Sequence, residues 1–400
     1  MNRPGVAFFM AGSWLAAGAF AVSWLLRNLL LESAGWSKQA IAGAVSWEAG
    51  GTLVAIVPVA WALARFPSWT VLVVSALMQA AGLALIAAQG LHGSSVTTVY
   101  FGSMLAGAGF TTHWVASAPI LARLTGEDHP KRAFLFGLFE AVHTSAAVLL
   151  TLCAGPLAEA LGSRLGDPTA GLAWGTAGGS AAALLAALPF AFLVEDRVAR
   201  RKAYAGRPPF ARVRGTLTRL VVPDLVLGFG AGLVIPFLNL YFANRFQLGP
   251  REISWCFAGG QTLMTIGFLA TSVVGRRLGL VKAVVAVELA SVPFFVVLAL
   301  SHHLPVAVMA FLARGALMNM AAPLYKNFAM KVVPDGWREV ANGACHGAWN
   351  GAWVLAALVA GRLLETSGFT PVMLLAAVLY VVTSVSFWIL WRREPAGWRE

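Results

Sequence analysis

Long apolar stretches separated by short polar ones recur along the whole chain. They fall near 5–30, 39–63, 69–89, 96–122, 133–160 and 170–194, and resume near 221–243, 252–275, 280–301, 304–325, 339–363 and 370–391. A helix crosses the hydrocarbon core of a bilayer with about 20 apolar residues. The pattern therefore predicts an all-α membrane protein with twelve transmembrane helices. The runs at 170–194 and 339–363 are rich in Gly and Ala and carry the weakest hydropathic signal. The first run is longer than the roughly 7–15-residue core of a signal peptide and reads as a retained first helix.

One polar stretch is much longer than the others, Glu195 to Leu220. It is basic and contains Pro208-Pro209, which predicts a cytoplasmic linker, with a helix on the headgroups as one form it can take. The expected organisation is a six-helix half over 1–194, the linker over 195–220 and a second six-helix half over 221–400.

Composition narrows the reading. The 400 residues are 58% hydrophobic and 12% charged, with a mean hydropathy of +0.74, whereas an ordinary soluble domain carries about a quarter charged residues. A water-soluble globule is excluded, and lipid is the expected solvent for most of the surface. The net charge of +12 sits in short clusters between apolar runs, as suits loops at an anionic membrane surface, and nucleic acid is not an expected partner.

Those clusters also set an orientation. With the N-terminus placed in the cytoplasm, 22 Lys and Arg fall in cytoplasmic segments and 6, counting Arg27, fall outside or near the outer ends, with Arg314 left within the tenth helix. The positive-inside rule then puts both termini in the cytoplasm. Cys153, Cys256 and Cys345 lie far apart inside apolar runs, without disulfide or metal-ligand spacing. His302-His303 has no third ligand nearby, so no metal site is expected, and no cofactor is implied.

The two halves repeat. Laying 29–44 over 241–256 brings Ile41 onto Ile253, a shift of 253 − 41 = 212, and the same shift carries Arg65 onto Arg277. A second match lays 132–162 over 338–368 at a shift of 206, pairing Arg132 with Arg338, Gly137 with Gly343, Gly155 with Gly361, Glu159 with Glu365 and Gly162 with Gly368. Two pseudo-symmetric six-helix halves follow from the duplication.

With this duplication and the basic stretch between the halves, the chain resembles the major facilitator superfamily across essentially its whole length. The segment 228–260 is similar to that family's seventh helix and the loop into the eighth. Gly275-Arg276-Arg277-Leu278-Gly279 with Lys282 is similar to the second copy of the family's Asp-Arg-x-Gly loop. Two departures stand out. Ala64-Arg65-Phe66-Pro67, the first copy, keeps the arginine without the acid or the glycine, and Arg276 stands where the second copy's acid would be. Gly155-Pro156 resembles part of the exporters' antiporter motif, with Ala158 and Glu159 in place of part of its glycine tail. The resemblance implies parallel repeats around a midplane site, alternating access and no enzymatic role.

An ionised side chain at the membrane midplane costs about 2.5–3.5 kcal/mol on insertion scales. Glu48, Glu140, Glu288 and Arg314, with His113, His143 and His346, are therefore the chemical candidates. In the fifth helix Glu140 and Thr144 share a face, with His143 beside them; in the eleventh, Asn342, His346 and Asn350 do the same. The 206 shift maps Glu140 onto His346 and Thr144 onto Asn350. The expectation is a carboxylate and an imidazole facing each other across a central cavity and exchanging protons near neutral pH.

Arg314 is expected either to pair with a buried carboxylate or to hold an anionic substrate. Glu48 is its possible partner or a second protonation site. Asn239 and the glutamines Gln79 and Gln261 are uncharged candidates, individually more often helix-to-helix glue. Gly343, Gly347 and Gly351 beside the eleventh-helix stripe read as a packing seam.

No GxxxxGK[ST] segment supports ATP-driven transport. The expectation is secondary transport of a small molecule, coupled to protons, with a lean towards export of a lipophilic or amphipathic solute by a monomer in the plasma membrane. A polytopic membrane enzyme or lipid flippase using intramembrane Glu, His and Arg is the alternative.

Overall fold

In the computed structural model, which describes residues 3–125, 129–193, 209–334 and 337–393, every regular element is a helix. Lipid offers no partners to the backbone, so each crossing segment satisfies its own N–H and C=O groups. The first six helices are α1 (Arg3–Ser33), α2 (Lys38–Arg65), α3 (Ser68–His92), α4 (Val96–Thr125), α5 (His129–Leu165) and α6 (Pro168–Ala191). There follow α7 (Phe210–Val234), α8 (Leu238–Phe246), α9 (Pro250–Leu278), α10 (Leu280–Leu300), α11 (Leu304–Val332), α12 (Arg338–Ser367) and α13 (Phe369–Trp391). A 3₁₀ turn at Ile235–Phe237 joins α7 to α8, and the two form one broken span. The expected twelve spans are therefore present among the described residues.

Eleven of them are long and apolar enough to cross a membrane. The Gly- and Ala-rich runs qualify: the most apolar 18 residues within Pro168–Ala191 and within Val340–Ser367 have mean hydropathies of 1.3 and 1.2. The twelfth, α4, falls short because Ser103, Thr111, Thr112, His113 and Ser117 interrupt it, and all five are buried inside the protein. Helix α7 begins 11 residues before the expected seventh run, since 221 − 210 = 11. Val213, Leu217 and Leu220, spaced to share a helical face, are buried in an apolar cluster there. The later part of the basic stretch is thus the start of a spanning helix, and 195–208 lies outside the described residues.

The chain forms two compact units: Met1–Arg200 with Pro236–Gln261, and Arg201–Ile235 with Thr262–Glu400. Pro236–Gln261, counted with the second half from the sequence, packs with the first unit, and the division falls at the 3₁₀ break. In the first unit α3 packs on α4 and α6, α2 on α4, and α1 on α5 and α6. In the second, α10 packs on α11 and α13, and α7 on α12 and α13.

Small residues set the distances. A Cβ on Gly107 of α4 would overlap the carbonyl of Glu48 on α2, and one on Gly109 would meet the backbone of α3 at Ser75 and Gln79. In the second unit Gly228 and Gly232 of α7 let the backbone of α12 approach at Trp349 and Trp353. Helix α9 turns into α10 through Gly279 alone, at φ +76°, a left-handed conformation that suits glycine.

Candidate functional site

In the first unit two buried polar groups stand apart from the apolar core. The first spans α1, α2 and α8. Arg27 and Glu48 are 1% and 5% exposed and form an ion pair through Nη1 and Oε2. Arg27 Nε also donates to Asn28 Oδ1 at 3.2 Å. Asn28 Nδ2 donates to the carbonyl of Pro236 at 2.6 Å and to Asn239 Oδ1 at 3.3 Å, while Asn239 Nδ2 donates to the carbonyl of Leu25 at 2.8 Å.

A 3₁₀ break in a helix frees backbone carbonyls that must find other donors in lipid. Asn28 supplies one at Pro236, so the break and the asparagine explain each other. Glu48 Oε1 has no hydrogen-bond partner and is the unsatisfied end of the network.

The second group joins α1, α4 and α5. His113, 1% exposed, lies with Nε2 3.1 Å from Ser13 Oγ. The ring of His143 stacks on it with centroids 5.2 Å apart and planes 12° apart. His143 Nδ1 lies 3.1 Å from the carbonyl of Phe139, which can only accept, so Nδ1 carries the hydrogen. His113 Nδ1 and His143 Nε2 are left without hydrogen-bond partners. An aromatic run leads away from the pair. Trp114 meets His143 edge-on at 5.3 Å, Phe110 stacks on Trp114 at 6.2 Å, Phe20 stacks on Phe110 at 3.8 Å, and Trp24 lies 5.8 Å from Phe20. Those four aromatic side chains are half-buried.

The second unit also holds two groups. On α7, α11 and α12 the carboxylate of Asp224 is hydrogen-bonded to Cys345, with Lys326 near enough to act on it. Tyr325 donates to the carbonyl of Leu220 at 2.9 Å and lies 3.7 Å from Cys345 Sγ. On α10, α11 and α13, Ser384 Oγ donates to Glu288 Oε2 at 2.7 Å. Arg314, 3% exposed, reaches Tyr380 Oη at 3.5 Å, and its guanidinium sits 4.6 Å over the ring of Phe295. Its Nε has no hydrogen-bond partner.

Of the expected site residues, Glu48, His143, Asn239 and Arg314 are buried. Glu140 is exposed on α5, and His346 is exposed on α12. The structure brings His346 and Asn350 together, with Asn350 Nδ2 3.3 Å from His346 Nε2 and donating to the His346 carbonyl at 2.9 Å. The partner of Glu48 is Arg27, where the sequence offered Arg314. Arg27, counted among cations outside or near the outer ends, is buried because α1 continues to Ser33. Gln79 donates to the carbonyl of Ala16 at 3.1 Å and acts as helix glue. Gly343 and Gly351 face open space, so the expected packing seam is absent there.

Sequence reasoning missed Arg27, Asn28 and Asp224. Each sits where an apolar run was taken to be ending or starting. The signal for Asp224 was the spacing of Val213, Leu217 and Leu220, which moves it 224 − 210 = 14 residues inside a helix. Among the described residues no group of three His, Cys, Asp or Glu is placed to hold a metal ion.

Residues 224–400 match the family model described as Major Facilitator Superfamily. No curated protein matches the chain in sequence. Solved structures do match in fold. A variant of the nucleoside transporter NupG has a TM-score of 0.80 at 15% identity, over 97% of this chain and 100% of that one. A bacterial homologue of the human lysosomal transporter Spinster has 0.75 at 13%, over 98% of both chains. The D-xylose-proton symporter has 0.73 at 14%, over 98% and 97%. The second half thus carries the family's sequence signature, and the whole chain carries a fold shared with these transporters.

Proposed function

We propose that this chain, a multi-pass membrane protein with the transporter fold of the Major Facilitator Superfamily, is a secondary active transporter working by alternating access. One observation carries the reading. The histidine cluster occupies the first, fourth and fifth spans, and the Asp224 cluster occupies the seventh, tenth and eleventh, which are the same three places in each six-helix repeat. A duplicated pathway favours polar groups at equivalent places in both repeats. An enzyme has no need of the second copy.

Protons are the proposed coupling ion, carried by groups drawn from Glu48, Glu140, His143 and His346, with Asn239, Arg314 and Asn350 as polar contacts of the pathway. The half-buried aromatic run Trp24, Phe20, Phe110 and Trp114 supports a lipophilic or amphipathic solute. Gly155-Pro156 supports export. A Cβ on Gly155 would overlap Ser254 and Pro250, and Arg251 pairs with Glu159 at 3.2 Å, so this segment of α5 is seated on the first turn of α9. The loop charges support a plasma-membrane protein with both termini in the cytoplasm, and we read it as a monomer.

The test is flux of lipophilic amphiphiles in proteoliposomes with and without an imposed pH gradient. Gradient-driven flux is expected, reduced by Glu140→Gln and by His346→Ala. Flux unchanged in both variants removes them as the coupling pair, and no flux of any solute removes the transport reading.

A further inference from the structure

At the turn from α9 into α10 the second unit carries a half-open cavity of about 620 Å³, whose lining shares no residue with the four polar groups described above. We propose that it binds the phosphate of an anionic phospholipid headgroup. Arg276 from the end of α9 and Lys331 from the last turn of α11 line it, with Asn327 beside them. Among the described residues neither cation has a carboxylate within ion-pair distance. Gly275 and Gly279 form another wall; Gly279 faces open space, and Gly275 is packed against Leu324. The remaining wall is apolar, with Phe268, Leu280 and Phe328 facing the same cavity. Cations on one side and aromatic and aliphatic surface on the other match a molecule with a phosphate and an acyl chain.

Two further observations favour a lipid over a soluble anion. The cavity lies at helix ends, among Arg276, Arg277, Lys282 and Lys331, which is where headgroups lie and where basic residues attract anionic lipid. From that end, α9 runs into the bilayer with Phe268 of the cavity lining 36% exposed, an apolar surface for an acyl chain. The residue Arg276 also gains a reason. The family loop that this turn resembles has an acid at its place, which would repel phosphate, whereas a guanidinium can hold it bidentately. The assignment to the cytoplasmic leaflet rests on the orientation proposed above; binding itself does not.

The experiment counts lipids retained by the purified full-length chain in detergent, by native mass spectrometry, after equilibration with phosphatidylglycerol or phosphatidylcholine. Retention of phosphatidylglycerol over phosphatidylcholine is expected. Arg276→Gln and Lys331→Gln should each lower it about five-fold, from about 1 kcal/mol per basic residue near a lipid surface. Arg276→Lys should keep most of it, and Arg277→Gln, one residue outside the lining, should lower it less than either neutralisation inside the lining.

Equal retention of the two lipids overturns the proposal, as does an equal loss in Arg277→Gln. Displacement of the bound lipid by millimolar inorganic phosphate assigns the site to a soluble anion and overturns the lipid. Elution profile and thermal unfolding in phosphatidylcholine check that each variant is folded, and Lys331→Gln with Arg276→Lys keeps the test open if Arg276→Gln misfolds. No gradient or flux enters the measurement, so its failure and that of the transport reading are distinguishable.

Discussion

The two units bury charge in different ways. The first places Arg27 against Glu48, cation on anion, and anchors the arginine further through Asn28. The second gives Glu288 a hydroxyl from Ser384, and gives Arg314 a phenol and the face of a ring. Breaking a buried ion pair leaves one charge uncompensated, whereas replacing a charge held only by neutral groups removes its desolvation cost as well. Removing one partner of the pair in the first unit is therefore expected to cost more than removing Arg314. Among the described residues Arg314 has no carboxylate in ion-pair reach; such a buried guanidinium is the more expensive arrangement, and it suits a residue kept for binding or for movement.

Four tests, each with its own substitutions, break or sharpen that comparison. Arg27→Ala or Glu48→Ala alone should destabilise the protein by about 3–5 kcal/mol, and replacing both with apolar residues should cost much less. Denaturant unfolding in mild detergent checks this, and Arg314→Met should cost less than Arg27→Met in the same assay. Equal losses at the two arginines would erase the distinction. Next in size is Gly107→Ala, which forces a methyl into the Glu48 carbonyl and should cost about 1–3 kcal/mol by overpacking α2 against α4.

Ser384→Ala removes one hydrogen bond from Glu288 and should cost about 1 kcal/mol, while Glu288→Gln, which can still accept from Ser384, should cost less. The smallest effect has the opposite sign. Gly343→Ala places a methyl in open space on α12 and should stabilise by about 0.5–1 kcal/mol, read as a rise in thermal midpoint. A loss there would mean that the open face of α12 closes on something during the protein's cycle.

The architecture was legible because hydropathy and loop charge act at the scale of whole helices. Twelve spans and the duplication could be read from runs and shifts without knowing a single contact. The site was legible only in part, for a physical reason. Glu48, His143, Asn239 and Arg314 stood out because a polar group inside an apolar run is costly wherever it points. Their partners did not, because pairing depends on how helices are rotated and where they end. Arg27 looked like a helix-end cation until α1 proved to continue to Ser33, and Asp224 looked like a residue at a helix start until α7 proved to begin at Phe210. Glycines misled for the same reason: Gly343 and Gly351 are spaced for packing yet face nothing, while Gly228 and Gly232 on α7 make the close contact with α12.

The polar character of α4 bears on how the chain reaches its fold. Released alone into a translocation channel, a segment carrying Ser103, Thr111, Thr112, His113 and Ser117 has little drive to leave for lipid. Helix α3 is made immediately before it and offers the backbone against which Gly109 and Gly102 lie, and α1 holds Ser13 for His113. Biogenesis of the first unit is therefore cooperative. The fourth segment enters the bilayer as a companion of helices already waiting there, and weakening that companionship should show first as a topology error during synthesis.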